Sequence, residues 1–294
     1  MVSERWLRKL VPSTAVLSRS ALFYPVSLLN DWTVGAACRM IARRRFPPMR
    51  YISRTGCNDV LSPYFFYLTH GVNFWLYAFA RGWATLDSRI VDIGSGCGKS
   101  AVTLRDFDYM GERFRGQYFG FDVDTEMVAW CQQNFDAAHF RFRAIDSYSA
   151  VYNPAAPPGL ASEGMKRSRG TNELPFLEGC ENGSIDLVMS QSLFSHLLER
   201  ELRAYVKESA RALRKGGIMA MTFFCMDDLG ALKLLGGRWT FAHRRGAAYI
   251  ENERYPEAAV AYDKSWMEQV CREAGFSKVE TILPAYQSTI FCVK

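Results

Sequence analysis

Arg89-Ile-Val-Asp-Ile-Gly-Ser-Gly-Cys-Gly-Lys-Ser100 is the stretch around which this 294-residue chain is organised. A short apolar run ends in three glycines at alternate positions, and a helix-like segment follows them. A buried strand that turns through glycines into a helix brings backbone N–H groups close to a ligand. The stretch therefore predicts a ligand site at the end of a central strand.

The spacing of the glycines separates the ligands that such a turn can serve. A phosphate-binding loop that ends in Gly98-Lys-Ser100 needs a glycine at position 93, where this chain has Ile93. A dinucleotide-binding turn needs its third glycine one residue later than Gly98. A carboxylate at Asp92 suits a ligand that has a cationic amino group and no pyrophosphate. We predict that the turn binds this ligand through Asp92, Gly94, Ser95, Gly96 and Gly98.

The pattern after residue 89 alternates strands with helices, which is typical of a parallel α/β sheet. A glycine pair, Gly216-Gly217, is expected to end the helix at 198–214. Two segments interrupt the alternation, at 147–183 and 226–260, and we interpret both as insertions. Seven strands are predicted, at 89–93, 117–121, 139–145, 185–189, 218–224, 276–283 and 287–293, and the last two form an antiparallel pair.

Acidic and apolar residues follow the second and third predicted strands. Asp122 ends the second strand, where a carboxylate can accept hydrogen bonds from both ribose hydroxyls; the alternative is a helix cap, which Asp124 or Thr125 can equally provide. Val123 offers an apolar contact to adenine. At the end of the third strand, Ile145 and Asp146 are predicted to hold the adenine, with capping as the alternative for Asp146.

Three polar residues follow the fourth strand, where parallel sheets bind their ligands. Ser190 and Gln191 are predicted to bind the cofactor, and His196 is the candidate general base. A structural role for His196 is an equal alternative. Asp146 and the pair Tyr262-Asp263 are weaker candidates for the base.

The ordered motifs resemble those of the class I S-adenosylmethionine-dependent methyltransferases, and in particular a bacterial small-molecule methyltransferase family. The resemblance covers roughly residues 47–294. It departs from the usual pattern at Lys99, which we interpret as a helix-start residue facing solvent or the cofactor carboxylate. The matching stretches are Val91-Asp-Ile-Gly-Ser-Gly-Cys-Gly98, Gly120-Phe-Asp-Val-Asp124, Ala129-Trp-Cys-Gln-Gln-Asn134, Tyr152-Asn-Pro154, Ser184-Ile-Asp-Leu-Val188, Ser192-Leu-Phe-Ser-His-Leu197, Leu213-Arg-Lys-Gly-Gly217 and Glu257-Ala-Ala-Val-Ala-Tyr-Asp263.

The resemblance implies a Rossmann-like methyltransferase domain at residues 84–294, with S-adenosylmethionine as its cofactor. It implies methyl transfer to a small-molecule acceptor, with O-methylation favoured and a sugar- or lipid-linked acceptor as one option. Two alternatives stay open, a non-catalytic binding or membrane-surface protein with this fold and a nicotinamide-dependent oxidoreductase. Nothing in the sequence decides between oxygen, nitrogen and carbon as the nucleophile, or indicates the oligomeric state.

Positive charge is concentrated in the N-terminal segment. Residues 1–54 hold ten Lys/Arg and two acidic residues, hence +8, whereas the rest holds 26 basic and 28 acidic residues, hence −2. The part of the chain after residue 54, the body, therefore lacks the positive electrostatic field that nucleic-acid binding needs. The segment favours a packed helical extension, peripheral contact with an anionic membrane, or a transit peptide.

The aromatic residues and the cysteines complete the sequence picture. Residues 61–83 hold nine aromatic residues, which indicate core packing or a wall of a substrate pocket, so 1–83 is predicted to be a helical extension or cap. The eight cysteines form no C-x-x-C pair and have no histidine at ligand spacing, so no metal site is predicted. Reduced thiols favour a cytoplasmic protein, with association at a membrane surface as the alternative.

Overall fold

A computed structural model describes residues 23–57, 63–109, 111–145, 177–230, 239–282 and 286–294. The residues outside these ranges include 1–22, 231–238, Asp146 and most of the predicted insertion at 147–183. Within the described residues, the N-terminal part has five helices: α1 (Phe23–Trp32), α2 (Val34–Ala42), α3 (Met49–Arg54), α4 (Pro63–Thr69) and α5 (Val72–Ala80).

The remainder alternates strands and helices. Its helices are α6 (Lys99–Asp106), α7 (Thr125–Asn134), α8 (Glu199–Ala212) and α9 (Lys264–Glu273). Its strands are β1 (Arg89–Ile93), β2 (Asp108–Tyr109), β3 (Glu112–Arg113), β4 (Gln117–Asp122), β5 (Phe140–Ala144), β6 (Ile185–Ser190), β7 (Leu213–Cys225), β8 (His243–Arg245), β9 (Ala248–Ile250), β10 (Val260–Tyr262), β11 (Lys278–Ile282) and β12 (Ser288–Val293).

Seven strands form the main sheet, in the order β5-β4-β1-β6-β7-β12-β11. The first five are parallel to one another, and β12 runs antiparallel to both β7 and β11. The predicted mostly parallel sheet with an antiparallel last strand is therefore confirmed. Beyond the seven, β10 pairs with the end of β7 and extends through β9 to β8, so the region from 243 to 262 adds three short strands.

The glycine pair after α8 does not end that helix. α8 ends at Ala212, and β7 begins directly at Leu213 because this residue already pairs with Ile185 of β6. Gly216 (φ +75°) donates its amide to Lys294 O at 2.9 Å, inside the strand. The prediction that Gly216-Gly217 stops α8 is wrong, because these glycines lie where the pairing of β6 and β7 changes register.

The core has two layers, one on each face of the sheet. On one face, Val91 and Ile93 pack with residues of α8 and α9. On the other face, Ile90 packs with α6, α7 and the N-terminal helices α3–α5. This alternation follows from the pleat of β1, whose successive side chains point to opposite faces.

The N-terminal helices share polar contacts with the body as well as apolar ones. Trp75 Nε1 donates to Ser100 O at 2.9 Å, and Tyr67 donates its hydroxyl to Cys97 O at 3.2 Å. Cys97 lies in the turn that leads into α6, and Ser100 lies in the first turn of that helix. The predicted division at residue 83 and the two predicted insertions stay predictions. Among the described helices, none is long and apolar enough to cross a membrane.

Candidate active site

The glycine turn lies at the carboxyl end of β1 and is tied to the end of β4. The amides of Gly94 and Ser95 donate to Phe121 O at 2.7 and 3.0 Å. The amide of Gly96 donates to Asp122 Oδ2 at 2.7 Å, and Asp122 Oδ1 accepts from the amide of Asp124 at 2.9 Å. Asp122 therefore holds the turn in place, and its own carboxylate is fixed by the backbone.

Asp124, and not Asp122, caps α7. Asp124 Oδ1 accepts from the amides of Glu126 and Met127, each at 3.1 Å. Burial raises the pKa of the Asp122 carboxyl, while the two backbone donors oppose that rise. The helix-cap alternative for Asp122 is thus taken by its neighbour, and Asp122 faces the cavity described next.

One cavity of about 770 Å³, measured out to its mouth, lies beside the glycine turn. Its walls come from an N-terminal segment, the glycine turn, the ends of β4 and β5, and the segment after β6. They are formed by Arg54, Thr55, Gly56, Ile93, Gly94, Gly96, Lys99, Phe121, Asp122, Val123, Met127, Ile145, Gln191, Ser192, Leu193, His196 and Tyr205.

The cavity brings together seven of the predicted site residues: Gly94, Gly96, Asp122, Val123, Ile145, Gln191 and His196. Four others, Asp92, Ser95, Gly98 and Ser190, are absent from its walls, and each lies close to the glycine turn or to the end of β1. Ser190 donates its hydroxyl to Ile93 O at 2.8 Å. Gly98 (φ +79°) begins α6. Ser95 Oγ is buried and has no hydrogen-bond partner within the described residues. Asp146 cannot be placed, since it lies outside them.

Asp92 is buried behind the glycine turn. Its Oδ2 accepts a hydrogen bond from the Tyr118 hydroxyl, and the side chain does not line the cavity. Burial raises the pKa of Asp92 to about 7, an effect that the Tyr118 hydroxyl and Lys99 oppose. The predicted contact of Asp92 with a ligand amino group is therefore not present in the geometry of the cavity wall.

A wall that the sequence did not predict comes from Arg54, Thr55 and Gly56, which we call the strap. Arg54 Nη1 lies 2.8 Å from Asp124 Oδ2, as an ion pair without hydrogen-bond geometry, and Arg54 Nη2 donates to Glu126 Oε2 at 2.7 Å. These contacts fasten the strap across the start of α7, at the mouth of the cavity.

Lys99 connects the strap to the glycine turn. Its ammonium donates to Thr55 O at 2.8 Å, and the side chain is only 6% exposed. Burial lowers the pKa of Lys99, while the nearby carboxylates and thiols oppose that change. The interpretation that Lys99 faces solvent is wrong, because a carbonyl 44 residues earlier covers it; its place in the cavity wall leaves the cofactor-facing option open.

Comparison with known proteins agrees with this geometry. A family described as a methyltransferase domain matches residues 162–221, which include Ser190, Gln191 and His196. Among solved structures, a candidate O-methyltransferase from Nostoc punctiforme PCC 73102 is similar, with 14% identity and a TM-score of 0.51 over 84% of this chain and 59% of that chain. Residues 162–221 thus match a methyltransferase domain, and the strand order is that of the Rossmann-like methyltransferase fold.

Two further solved structures have lower TM-scores. Magnesium protoporphyrin IX methyltransferase from Synechocystis PCC 6803, with bound SAH, is 14% identical over 90% of this chain and 96% of that chain, with a TM-score of 0.44. A complex of the Haloferax volcanii Trm112 methyltransferase activator with a candidate methyltransferase matches at 17% identity over 77% of this chain and 89% of that chain, with a TM-score of 0.47.

His196 lies in a short 3₁₀ turn, Phe194–His196, after β6. Its Nδ1 lies 2.9 Å from Glu257 O, and a carbonyl oxygen only accepts hydrogen bonds. Nδ1 therefore carries the proton of the neutral ring, and Nε2 carries the lone pair. Burial lowers the pKa of His196, against the opposing effect of the Glu257 and Ala258 carbonyls, so the ring is neutral at physiological pH.

The weaker candidates for a base, Tyr262 and Asp263, lie elsewhere in the structure. Tyr262 is buried and donates its hydroxyl to Leu197 O at 2.9 Å. Asp263 accepts from the Tyr249 hydroxyl at 3.1 Å. Neither side chain lines the cavity, so the structure separates this pair from the site.

Ser192 has a left-handed backbone (φ +65°) at the wall of the cavity. Its amide donates to Thr222 Oγ1 at 2.7 Å, and the hydroxyls of Ser192 and Thr222 both donate to Gln287 Oε1, at 3.0 and 2.9 Å. Such a conformation persists in a non-glycine residue only where its surroundings determine it. The network thus fixes the segment from Gln191 to Leu193 against β7 and β12.

The cavity fits S-adenosylmethionine, the cofactor that the resemblance implies. At Gly94 and Gly96 the cavity wall is backbone without a side chain. The acidic side chain of Asp122 lines the same cavity as the apolar residues Val123 and Ile145. A buried cation, Lys99, uses one of its three donors on Thr55 O, which leaves donors for a carboxylate. The donor set therefore matches a ligand that combines an adenosyl group with an amino-acid end.

Proposed function

We propose that this methyltransferase transfers a methyl group to a hydroxyl of a small, largely apolar molecule, and that His196 is the general base. One observation supports the proposal above the others: His196 and Asp122 line the same cavity, and the ring of His196 is neutral with its proton on Nδ1. A neutral imidazole with its lone pair on Nε2 is the form that accepts a proton from a hydroxyl nucleophile.

In this proposal, each wall of the cavity holds a different part of the cofactor. Asp122 accepts hydrogen bonds from the ribose hydroxyls, because its carboxylate is already oriented by two backbone donors. Val123 and Ile145 pack against the adenine. Gly94 and Gly96 let the backbone approach the amino-acid end, and Lys99 binds its carboxylate.

Other predicted residues have supporting roles in the proposal. Gln191 also lines the cavity, and we assign it to the methyl-donor end of the cofactor. The residues Asp92, Ser95, Gly98 and Ser190 shape the turn from behind. Asp146 keeps its proposed contact with the adenine amino group, on the basis of its place after the third strand.

When bound, the cofactor supplies a methyl group on a sulfonium, together with its leaving group. The chain then has two tasks, alignment of the acceptor and removal of its proton. Ideal alignment lowers a barrier by about 7–11 kcal/mol. Proton transfer to a positioned base contributes roughly 10²- to 10⁴-fold in rate. In our proposal the proton goes to His196 Nε2, while the Glu257 carbonyl keeps the ring oriented.

The walls on the acceptor side favour an apolar molecule. Leu193 and Tyr205 line this side beside His196, and Met127 lies across the cavity. We include acceptors that carry a sugar or a lipid chain, provided that their hydroxyl reaches His196. Nucleic acid is not among the proposed acceptors, because the body after residue 54 has a net charge of −2.

Calorimetry tests the cofactor assignment. S-adenosylmethionine and its demethylated product are expected to bind the full chain, and NADH is not. Asp122→Asn is expected to weaken binding by about tenfold or more, since a hydrogen bond to a charged group contributes about 1.5–3 kcal/mol. Equal affinity of Asp122→Asn and the wild type would contradict the ribose assignment.

Release of the demethylated cofactor with a panel of phenols, hydroxylated fatty acids and glycosides tests the chemistry. Amine analogues of the same molecules test the choice of oxygen. His196→Gln is expected to keep cofactor affinity and to lose roughly 10²- to 10⁴-fold in turnover.

His139→Gln is the matched control for that variant. His139 Nδ1 also lies 2.9 Å from a backbone carbonyl, that of Gly116, but the residue is not in the cavity wall. Its turnover is expected to equal that of the wild type. Full turnover of His196→Gln, or transfer to the amine analogues alone, would refute the proposed O-methylation with His196 as base.

A further inference from the structure

We propose that the outer face of α1 and α2 is a docking surface for an anionic lipid bilayer. Large apolar side chains are exposed on this face: Leu29 is 61% exposed, Trp32 78%, Met40 77% and Ile41 84%. Isolated exposed apolar residues are ordinary, but a contiguous group marks an interaction site. The inference does not depend on the acceptor or on the role of His196.

The geometry of α1 and α2 shows that this face points away from the body. Ser27 and Gly35 are buried, and Asp31 accepts from the Tyr64 hydroxyl at 2.5 Å and from the amide of Met49 at 2.8 Å. Ser27 and Asp31, four residues apart, define the body-facing side of α1, and Gly35 defines that of α2. At about 100° per residue, Leu29 lies roughly 160° from Ser27 and Asp31, and Met40 lies roughly 140° from Gly35, so both point away from the body.

Charge on and beside the face matches an anionic surface. Arg43 and Arg45 are exposed just after α2, whereas Arg39, although exposed, donates to Asp31 O at 3.1 Å on the body-facing side. The one acidic residue of the described segment 23–57, Asp31, is turned toward the body by its bonds to Tyr64 and Met49. Exposed arginines beside Trp and Ile are typical of helices that lie in a membrane interface.

The same charges argue against a second copy of the chain as the occupant. A twofold dimer through this face would place equivalent arginines of both copies near one another, since such an interface is self-complementary. A bilayer instead supplies the counter-charge. Residues 1–22 add four basic residues and one acidic residue to the same end of the chain, so the sequence before the face increases its positive charge.

The position of the face connects it to the cavity along the chain. α2 is followed by α3, and α3 ends at Arg54, the first residue of the strap. A bilayer bound at α1 and α2 would therefore contact the same N-terminal segment whose end, the strap, forms one wall of the cavity. Such a placement suits an acceptor that partitions into lipid.

Vesicle cosedimentation of the full chain tests the proposal. Vesicles of phosphatidylcholine mixed with phosphatidylglycerol are expected to bind the protein, and vesicles of phosphatidylcholine alone are expected to bind it at least about tenfold more weakly. High salt is expected to reduce the binding, because it screens exposed charges.

Three variants separate the contributions. Replacement of Leu29, Trp32 and Ile41 together by Ser is expected to reduce binding by about tenfold or more, because each removes buried apolar area in the interface. Arg43→Gln with Arg45→Gln is expected to reduce binding several-fold. Tyr255→Ser removes an aromatic residue that is 49% exposed outside the face, and it is expected to bind as the wild type does.

Cofactor affinity measured for each variant shows that the fold is intact and keeps this test apart from that of the proposed function. Three outcomes would overturn the docking surface. The wild type does not bind anionic vesicles; the triple serine variant binds them as well as the wild type does; or sedimentation velocity shows a dimer that the triple variant abolishes, with no vesicle binding in either.

Discussion

Gly96→Ala tests how closely the strap approaches the glycine turn. Gly96 has φ +54°, and a Cβ added to it would lie 2.6 Å from Cγ2 of Thr55. A left-handed backbone costs an L-residue about 1–2 kcal/mol. Overpacking of a tight contact adds about 1–3 kcal/mol. We therefore expect Gly96→Ala to lower the free energy of unfolding by about 2–5 kcal/mol, the sum of these two effects.

Two companion variants separate the two effects. Gly82 has a similar φ, +66°, and nothing within 4 Å of the added Cβ, so Gly82→Ala is expected to show the backbone cost alone, about 1–2 kcal/mol. Thr55→Ser removes the clashing methyl and keeps a hydroxyl that can donate to Ile52 O, as that of Thr55 does at 2.8 Å. When it is combined with Gly96→Ala, Thr55→Ser is expected to restore most of the free energy of unfolding that the clash costs.

Urea titrations of the four proteins in the Gly96–Thr55 cycle, and of Gly82→Ala, measure these free energies of unfolding. The coupling between the two positions is expected to be favourable by about 1–2 kcal/mol, which is large for a double-mutant cycle. Our reasoning would be refuted if Gly96→Ala cost no more than Gly82→Ala, or if the cycle gave no coupling. Either result would mean that the strap does not rest on the turn.

Three other changes have expected outcomes. Burial raises the folded-state pKa of Asp92 to about 7, so the free energy of unfolding should fall as the pH rises from about 4 to about 7, by at most about 4 kcal/mol. Asp92→Asn should flatten this pH dependence in urea titrations. Arg54→Gln should lower the free energy of unfolding by about 1–3 kcal/mol and weaken cofactor binding, because it leaves the buried Asp124 without its cation. Glu126→Gln, which removes the partner at an exposed ion pair, should lower it by under about 1 kcal/mol. Ellman's reagent should label Cys38 first in the native protein, since the other seven thiols are buried, and all eight only in urea; rapid labelling of several thiols would contradict the packing.

The sheet and one half of the site could be predicted from sequence because they depend on local patterns. β1, β4 and β6 are largely apolar and are followed by or end in a polar or glycine residue, and the carboxyl ends of parallel strands meet at one edge. Asp122 and His196 were accordingly expected near the turn, and they share its cavity. The same reasoning predicted that Asp92 contacts the ligand. In the structure its carboxylate accepts a hydrogen bond from the Tyr118 hydroxyl of β4, and the side chain does not line the cavity.

The strap could not be predicted, because its contacts join residues far apart in the chain. Nothing around Arg54 or Thr55 marks them as part of a ligand site. Lys99 was the one available signal. A lysine directly after a glycine turn, at the start of a helix with two following buried positions, either reaches solvent or needs an acceptor from elsewhere, and only the fold supplies Thr55 O.

The bonds from Trp75 and Tyr67 to the carbonyls of Ser100 and Cys97 have a consequence for protein engineering. A fragment that begins after residue 83 would leave both carbonyls without these donors and would expose the apolar face of α6. A hybrid that joins this catalytic half to another enzyme's N-terminal helices would lose the same donors, and the carbonyl that covers Lys99 as well. The first 83 residues are thus not an exchangeable part, and a library of chimeras is best recombined at sites other than this junction.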